Sequence, residues 1–326
     1  MTLEKQNKFG GTYTLINSAG MTVSLTALGA GILSIKVPDK DGIAREVVRI
    51  SDKGYGNDYH GLTIGRTSGR IAGATFEIDG KVAKLEKNNY GTDNLHGGKT
   101  GLFGKTFNAD IKMCADYTDA VFTYTDADGE GGYFGKVDIT VTYRVYEKEN
   151  RLAIYYNGKP DCKTLLNLTN HVYFDVSGDL RESVGEQYMY LNASRVGVLN
   201  ERLITTEIAE VSPEFDFRKP HKVKDYRQTE AVQCYTHGYD HPFFLDSRGM
   251  TDVQASLYSE LSKIKLEVKT TYPCVVVFGD NFYGYKSTCF ECQYNPDGIH
   301  MSPDDCGVCS PDNPYNEQIE YSFTVE

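Results

Sequence analysis

The sequence predicts an all-β fold, a large antiparallel β-sandwich, on three observations. Alternation of apolar and polar residues at period two recurs from end to end, and helical periodicity is nearly absent. The aromatic set is skewed to 24 Tyr and 15 Phe with no Trp, residues that suit a pleated, half-buried surface. At 326 residues the chain is long enough for two average domains, but sandwiches and barrels above about 200 residues are ordinary. No Ser/Gly linker, composition shift or internal repeat divides it, so residues 1–326 are expected to form a single domain.

The individual elements follow from the same periodicity. In KVDITVTYRVYEKENRLAIYYNG, Val137, Ile139, Val141, Tyr143 and Val145 share one face, and the polar turn Lys148-Glu149-Asn150 leads into alternating Leu152, Ile154 and Tyr156. This reads as an antiparallel hairpin. TFEIDGKVAKL is a second one, because Asp79-Gly80 supplies the positive φ values of a tight two-residue turn. SKIKLEVKTTYPCVVVFGDN gives one long strand and another after Pro273, and the final QIEYSFTVE alternates too. Gly- and Asn-rich connections such as KNNYGTDNLHGGKTGLFGK are the expected carriers of function, since a rigid sheet displays its chemistry on loops and strand faces.

Composition excludes several classes of partner. With 40% hydrophobic and 24% charged residues the chain is globular rather than disordered or fibrous. A formal charge of −11, without a basic run, argues against nucleic acid, whose binding relies on clustered Lys and Arg. MTLEKQNKFGG places charges where a signal peptide needs an apolar stretch, and no segment approaches the roughly 20 apolar residues of a membrane span. A cytoplasmic protein with no membrane partner is expected, its eight Cys held as thiols.

Four segments carry residues suited to chemistry. If LLNLTNHVYFDVSG is one strand, Leu166, Leu168, Asn170, Val172 and Phe174 face one way, and Asn167, Thr169, His171 and Tyr173 the other. The second face would line a concave site for a hydroxyl-rich ligand, with His171 transferring protons near neutral pH; the plainer alternative is a solvated sheet face. In HGYDHPFF, His237 and His241 fall on the side of Tyr239 and away from Asp240, which disfavours a metal and favours Asp240 as a hydrogen-bond acceptor. IGRTSGRIAGATF holds Arg66 and Arg70 among glycines, either as surface charges or as planar forks for oxygen-rich ligands. It lacks the Gly-Lys-Ser/Thr ending of a phosphate loop. DNLHGG puts His96 in a turn where its ring is free to face a cleft, whereas His60, His221 and His300 are expected at the surface.

Cysteine spacing offers a competing reading. Cys289 and Cys292 in CFECQ and Cys306 and Cys309 in CGVC form two C-x-x-C pairs, slightly short of the usual zinc-ribbon spacing. On an extended strand residues three apart face opposite ways, so the first pair does not converge on one ion. Read as a strand, CFECQ instead places Glu291 on one face with Cys289 and Gln293, and packs Phe290 and Cys292 on the other.

Taken in order, these segments resemble the aldose 1-epimerase (galactose mutarotase) family over most of the chain. GRTSGRIAGATFEIDGK resembles its arginine motif, NNYGTDNLHGG its first histidine loop and LNLTNHVYF its second histidine strand. LITTEIAEVSPEFDFRKP resembles its central segment, HGYDHPFF its aspartate motif and FECQYNPDGIH its glutamate motif. The resemblance implies a galactose mutarotase-like supersandwich with a monosaccharide on its concave face and no cofactor or metal. It implies Glu291 as general base, His171 as general acid, and Arg70, His96, Tyr173 and Asp240 as sugar-binding residues. Two positions depart from the family pattern: Gly69 stands where Asn is common, and Val276 where a Gln is common. Both remove polar contacts, which bears on the choice of sugar more than on the chemistry. An epimerase of disaccharides or hexose phosphates and a silent sugar-binding protein are the neighbouring readings. The sequence leaves monomer and homodimer equally open.

Overall fold

The computed structural model describes residues 1–6, 10–51, 59–282, 284–302 and 305–326. Strands dominate, and the two α-helices among the described residues, Glu230–Gln233 and Gly298–Met301, have four residues each. A nine-stranded sheet runs in the order Asn108–Met113, Tyr117–Asp126, Val137–Tyr146, Arg151–Pro160, Tyr315–Val325, Ile264–Thr270, Ala255–Tyr258, Tyr188–Leu191, His221–Lys222. A seven-stranded sheet is ordered Thr205–Glu210, Ala193–Leu199, Asp240–Leu245, Cys274–Phe278, Thr288–Gln293, Tyr173–Phe174, Val48–Arg49. A five-stranded meander covers Thr2–Gln6 to Ala44–Glu46.

The hairpins form as their periodicity predicts. Val141 pairs with Tyr156 and Tyr143 with Ile154, and the alternate row from Val137 to Val145 is fully buried. Burying each such side chain is worth roughly 1.5–3 kcal/mol, and a slip of one residue would turn the whole row to solvent. Register is therefore fixed by the sequence. Asp79 and Gly80 take φ of 52° and 79°, the left-handed pair that lets Ile78 face Lys81 across the turn.

One hydrophobic core joins the sheets. Val141, Tyr156, Ile319 and Val268 from the nine-stranded sheet and Val275, Val277, Phe290 and Cys292 from the seven-stranded one belong to it, with Leu15, Val23 and Ile35 of the meander. Phe174 crosses between layers to pack edge-on against Tyr321, centroids 5.0 Å apart. Because side chains alternate across a strand, committing Val275, Val277, Phe290 and Cys292 to this core turns Val276, Phe278, Cys289, Glu291 and Gln293 to the opposite face. That face carries the cleft described below.

The segment LLNLTNHVYF departs from the single strand expected of it. It is extended but divides into Thr164–Leu165, Thr169–Asn170 and Tyr173–Phe174, paired respectively with Val308–Cys309, Thr63–Ile64 and both Val48–Arg49 and Thr288–Gln293. Between these pairings Leu166, Asn167 and His171 donate their N–H groups to the carbonyls of Gly307, Arg66 and Leu62, and side chains complete the network. The Asn167 amide bonds the Tyr294 backbone in both directions, and Leu168 N–H donates to the Tyr315 hydroxyl while its carbonyl accepts from Tyr272. The satisfied backbone lets the chain change partners without leaving the extended form.

The cysteines separate rather than converge. Cys292 and Cys309 lie in the main core, Cys306 packs in a second cluster with Ile71 and Phe76, and Cys289 sits with Tyr173 and Phe278. Among the described residues no three cysteines gather their sulfurs at one point. The CGVC segment includes the short strand Val308–Cys309, which anchors Thr164–Leu165.

Candidate active site

Cross-strand register assembles one wall of a cleft from distant parts of the chain. Asp240 faces Phe278, Phe278 faces Cys289, and Cys289 faces Tyr173. In the next row Pro242 faces Val276 and Val276 faces Glu291. The opposite wall comes from Gly69 and Arg70, which meet His96 through a two-residue ladder, Arg70 against Leu95. His96 N–H donates to the Gly69 carbonyl, and Gly69 N–H donates to His96 Nδ1 at 3.1 Å. His96 itself takes φ of 54°, the turn geometry that swings its ring inward. Since Nδ1 accepts, neutral His96 carries its proton on Nε2.

The cleft is open to solvent and has a cavity volume of about 200 Å³. Arg70, His96, His171, Tyr173, Asp240 and Glu291, the six residues singled out in the sequence, all line it, and so do the two departures Gly69 and Val276. Of the expected polar face, only His171 and Tyr173 reach the cleft. Asn167 is spent on Tyr294, and Thr169 is buried in its pairing with Ile64.

At the centre, His171 Nε2 lies 3.5 Å from Glu291 Oε1. The His171 ring stacks on Tyr173 with centroids 5.0 Å apart and planes within 11°, and its Nδ1 lies 3.4 Å from Cys289 Sγ. Arg70 Nη2 stands 3.8 Å from Asp240 Oδ2. Burial pushes the Glu291 carboxyl up to about 8, aided by the negative charge of Asp240 and opposed by Arg70. Burial pushes His171 down to about 3, with His60 contributing. His96 is held well below its ordinary value by burial and by the charges of His171 and Arg70, and burial raises Asp240 against the pull of Arg70.

These directions change the protonation state expected from sequence. The general base and general acid implied by the resemblance would be an ionised Glu291 beside a protonated His171, yet in this cleft burial favours the neutral form of both. The pair therefore holds one proton between about pH 3 and pH 8, resting on the carboxyl. Only its position distinguishes the two states.

Three further residues stand differently from expectation. His60, expected at the surface, is fully buried and stacked on Tyr173 at 3.7 Å, because a ring face against Tyr173 replaces its hydration. His221 is half-buried on Phe217 at 4.3 Å; His300 is exposed as expected. Arg66 is buried away from the cleft, paired with Asp126 and donating to the carbonyls of Phe134, Ala127 and Gly135, a structural fork rather than a ligand anchor. Tyr59, Phe278 and Gln293 also line the cleft. The face shared by Cys289, Glu291 and Gln293 was the one signal for Gln293, and Tyr59 had none.

Among the described residues, one group of side chains has the geometry to hold a metal. His96, His171 and Glu291 offer three donor atoms within 4.8 Å of one another, the donor set of a His₂-carboxylate site. The same three groups also surround a space in which one hydroxyl and its neighbouring ring oxygen would meet an acid and a base.

Comparison with known proteins decides the family. The aldose 1-epimerase family model matches residues 11–322. The chain belongs to the aldose 1-epimerase family. It is 29% identical to the aldose 1-epimerase of Escherichia coli, over 96% of this chain and 95% of that protein. It is 30% identical to the maltose epimerase of Levilactobacillus brevis, over 96% and 94%. The galactose 1-epimerase structure from Lactobacillus acidophilus superposes with a TM-score of 0.86 at 24% identity, covering 99% and 98%, so the fold is the galactose mutarotase-like sandwich. The chain is accordingly an isomerase of this family. Among the described residues no helix is long and apolar enough to cross a membrane.

Proposed function

We propose that this chain interconverts the α and β anomers of a free aldohexose such as galactose or glucose, with Glu291 and His171 moving the protons. The observation that carries the reading is the 3.5 Å approach of His171 Nε2 to Glu291 Oε1 inside a cleft that also holds the Arg70–Asp240 pair. Anomers exchange when the ring opens to the aldehyde, turns about the C1–C2 bond and recloses. Opening removes a proton from O1 and delivers one to O5, and both oxygens are bonded to C1. An acid and a base a few ångströms apart serve both without a full alkoxide or oxocarbenium charge.

Glu291 takes the proton of O1 while His171 gives one to O5; reclosure runs the transfers backwards. Opening consumes the carboxylate–imidazolium arrangement and leaves the neutral pair that burial already favours. The enzyme thus needs one proton on the pair, and substrate carries it from one side to the other. Arg70, His96, Tyr173 and Asp240 hold the remaining hydroxyls and so supply orientation. Polarimetry on freshly dissolved α-galactose and α-glucose tests this: rotation should relax faster in proportion to enzyme concentration, and no acceleration with either sugar would refute it.

Charge at the cleft supports an uncharged sugar over a hexose phosphate. Arg70 is the one Lys or Arg among its described lining residues, against Asp240 and Glu291. Lys99 and Lys105 are engaged by Glu86 and Glu130. A disaccharide is the second reading, favoured by Phe282, which lines the cleft while remaining 66% exposed and offers an aromatic face to another ring. Activity is expected to survive prolonged treatment with excess EDTA, because the proton transfers need no Lewis acid. Loss of turnover that zinc restores would instead assign His96, His171 and Glu291 to a metal.

A further inference from the structure

One polar side chain at the cleft is unaccounted for by the residues above. Gln293 ends the strand Thr288–Gln293 and lies on the same face as Glu291, two residues along. It is fully buried, and neither Oε1 nor Nε2 has a hydrogen-bond partner. A primary amide brings two donors and two acceptor lone pairs, and leaving both ends unmade away from water is unfavourable. Its neighbours are engaged: Glu291 meets His171, Arg70 meets Asp240, and His96 Nδ1 receives the Gly69 N–H.

The wall next to this amide is bare. Position 69 is glycine, and a Cβ built there would stand 3.5 Å from Gln293 Nε2 and 2.7 Å from Pro296 Cβ. No side chain at 69 partners the amide, and Pro296 leaves no room for one in this backbone, whose φ at Gly69 is 70°. The amide therefore faces the corner of the cleft between Glu291 and the Gly69–His96 contact.

We infer that Gln293 is a further substrate-binding residue, whose amide holds one non-anomeric hydroxyl of the sugar. A hydroxyl donates and accepts at once, as the two ends of an amide do, so a single hydroxyl reaching this corner of the cleft is matched by Oε1 and Nε2 together. The inference rests on the cleft being an aldose site. It adds a specificity contact that the polar losses at Gly69 and Val276 would otherwise leave unsupplied.

The test is a coupling measurement with Gln293→Leu, which keeps the bulk and removes both hydrogen-bonding ends, and with Gln293→Met as a second variant. Polarimetry gives kcat/KM on galactose, glucose and their 2-, 3-, 4- and 6-deoxy analogues for each protein. The variants are expected to lose about 10- to 100-fold in kcat/KM on the parent sugar, and one deoxy sugar should react equally well with variant and parent. Ligand-free variants should melt at or above the parent temperature, since an unpartnered polar group has been replaced by an apolar one. A loss spread evenly over all deoxy sugars, a change below twofold, or failure of both variants to fold would overturn the role of Gln293 while leaving the mutarotase reading intact. A parent protein inactive on every sugar would overturn both.

Discussion

Glu291→Gln and His171→Asn are each expected to lower kcat by about 10²- to 10⁴-fold, with KM changed only a few-fold. Gln keeps the shape of the carboxyl and its place beside His171, so sugar should still bind; what disappears is the group proposed to exchange a proton with O1. Asn at 171 likewise fills part of the ring's place without titrating. Because the proposed mechanism has both residues act on one shared proton, the double variant should be little worse than either single one. Rates of α-to-β exchange measured by polarimetry, with KM from the same curves, check this. Near-parental kcat in either variant would remove that residue from the proton path.

The same substitution at Glu291 should stabilise the protein at alkaline pH. The carboxyl titrates at about 8 in the folded protein against 4.5 for the free group. Between those values the folded state keeps a proton that the unfolded chain has released, so the parent loses stability as pH rises through this window and levels off above about 8. Gln carries no such dependence. The advantage of Glu291→Gln should be absent below about pH 4.5 and grow to a few kcal/mol by pH 8. Urea midpoints at pH 5, 7 and 9 would display the widening gap. A gap of constant size would mean that Glu291 is not raised by burial. Activity and stability are opposed here because the group that must work is one that water would otherwise solvate.

The strands and the six cleft residues were legible in the sequence for a local reason. Alternation in CFECQ puts Phe290 and Cys292 in the core and Glu291 in the cleft, and no tertiary knowledge is needed to see it. For Arg70, His96, His171, Tyr173 and Asp240 the pointer was the resemblance of their motifs, in order along the chain, to those of the aldose 1-epimerase family. What was not legible depends on partners remote in sequence. His60 is hidden by Tyr173, Arg66 is drawn inward by Asp126 and three carbonyls, and the segment after Leu165 changes strand partners because Arg66, Leu62 and the hydroxyls of Tyr315 and Tyr272 satisfy its backbone. The protonation of His171 and Glu291 was out of reach for the same reason: side-chain types announce an acid and a base, but their pKa values are set by burial.

The pH dependence of kcat/KM tests the single-proton pair most directly, because that parameter reports the ionisations of the free enzyme. Above the uncatalysed background, kcat/KM for the parent should hold steady through neutrality and then fall about tenfold per pH unit beyond about 8, where Glu291 gives up the proton. In Asp240→Asn, which removes the negative charge that helps to raise Glu291, the falling limb should move to lower pH. A profile that stays level to pH 10, or a limb that does not move in Asp240→Asn, would contradict the account.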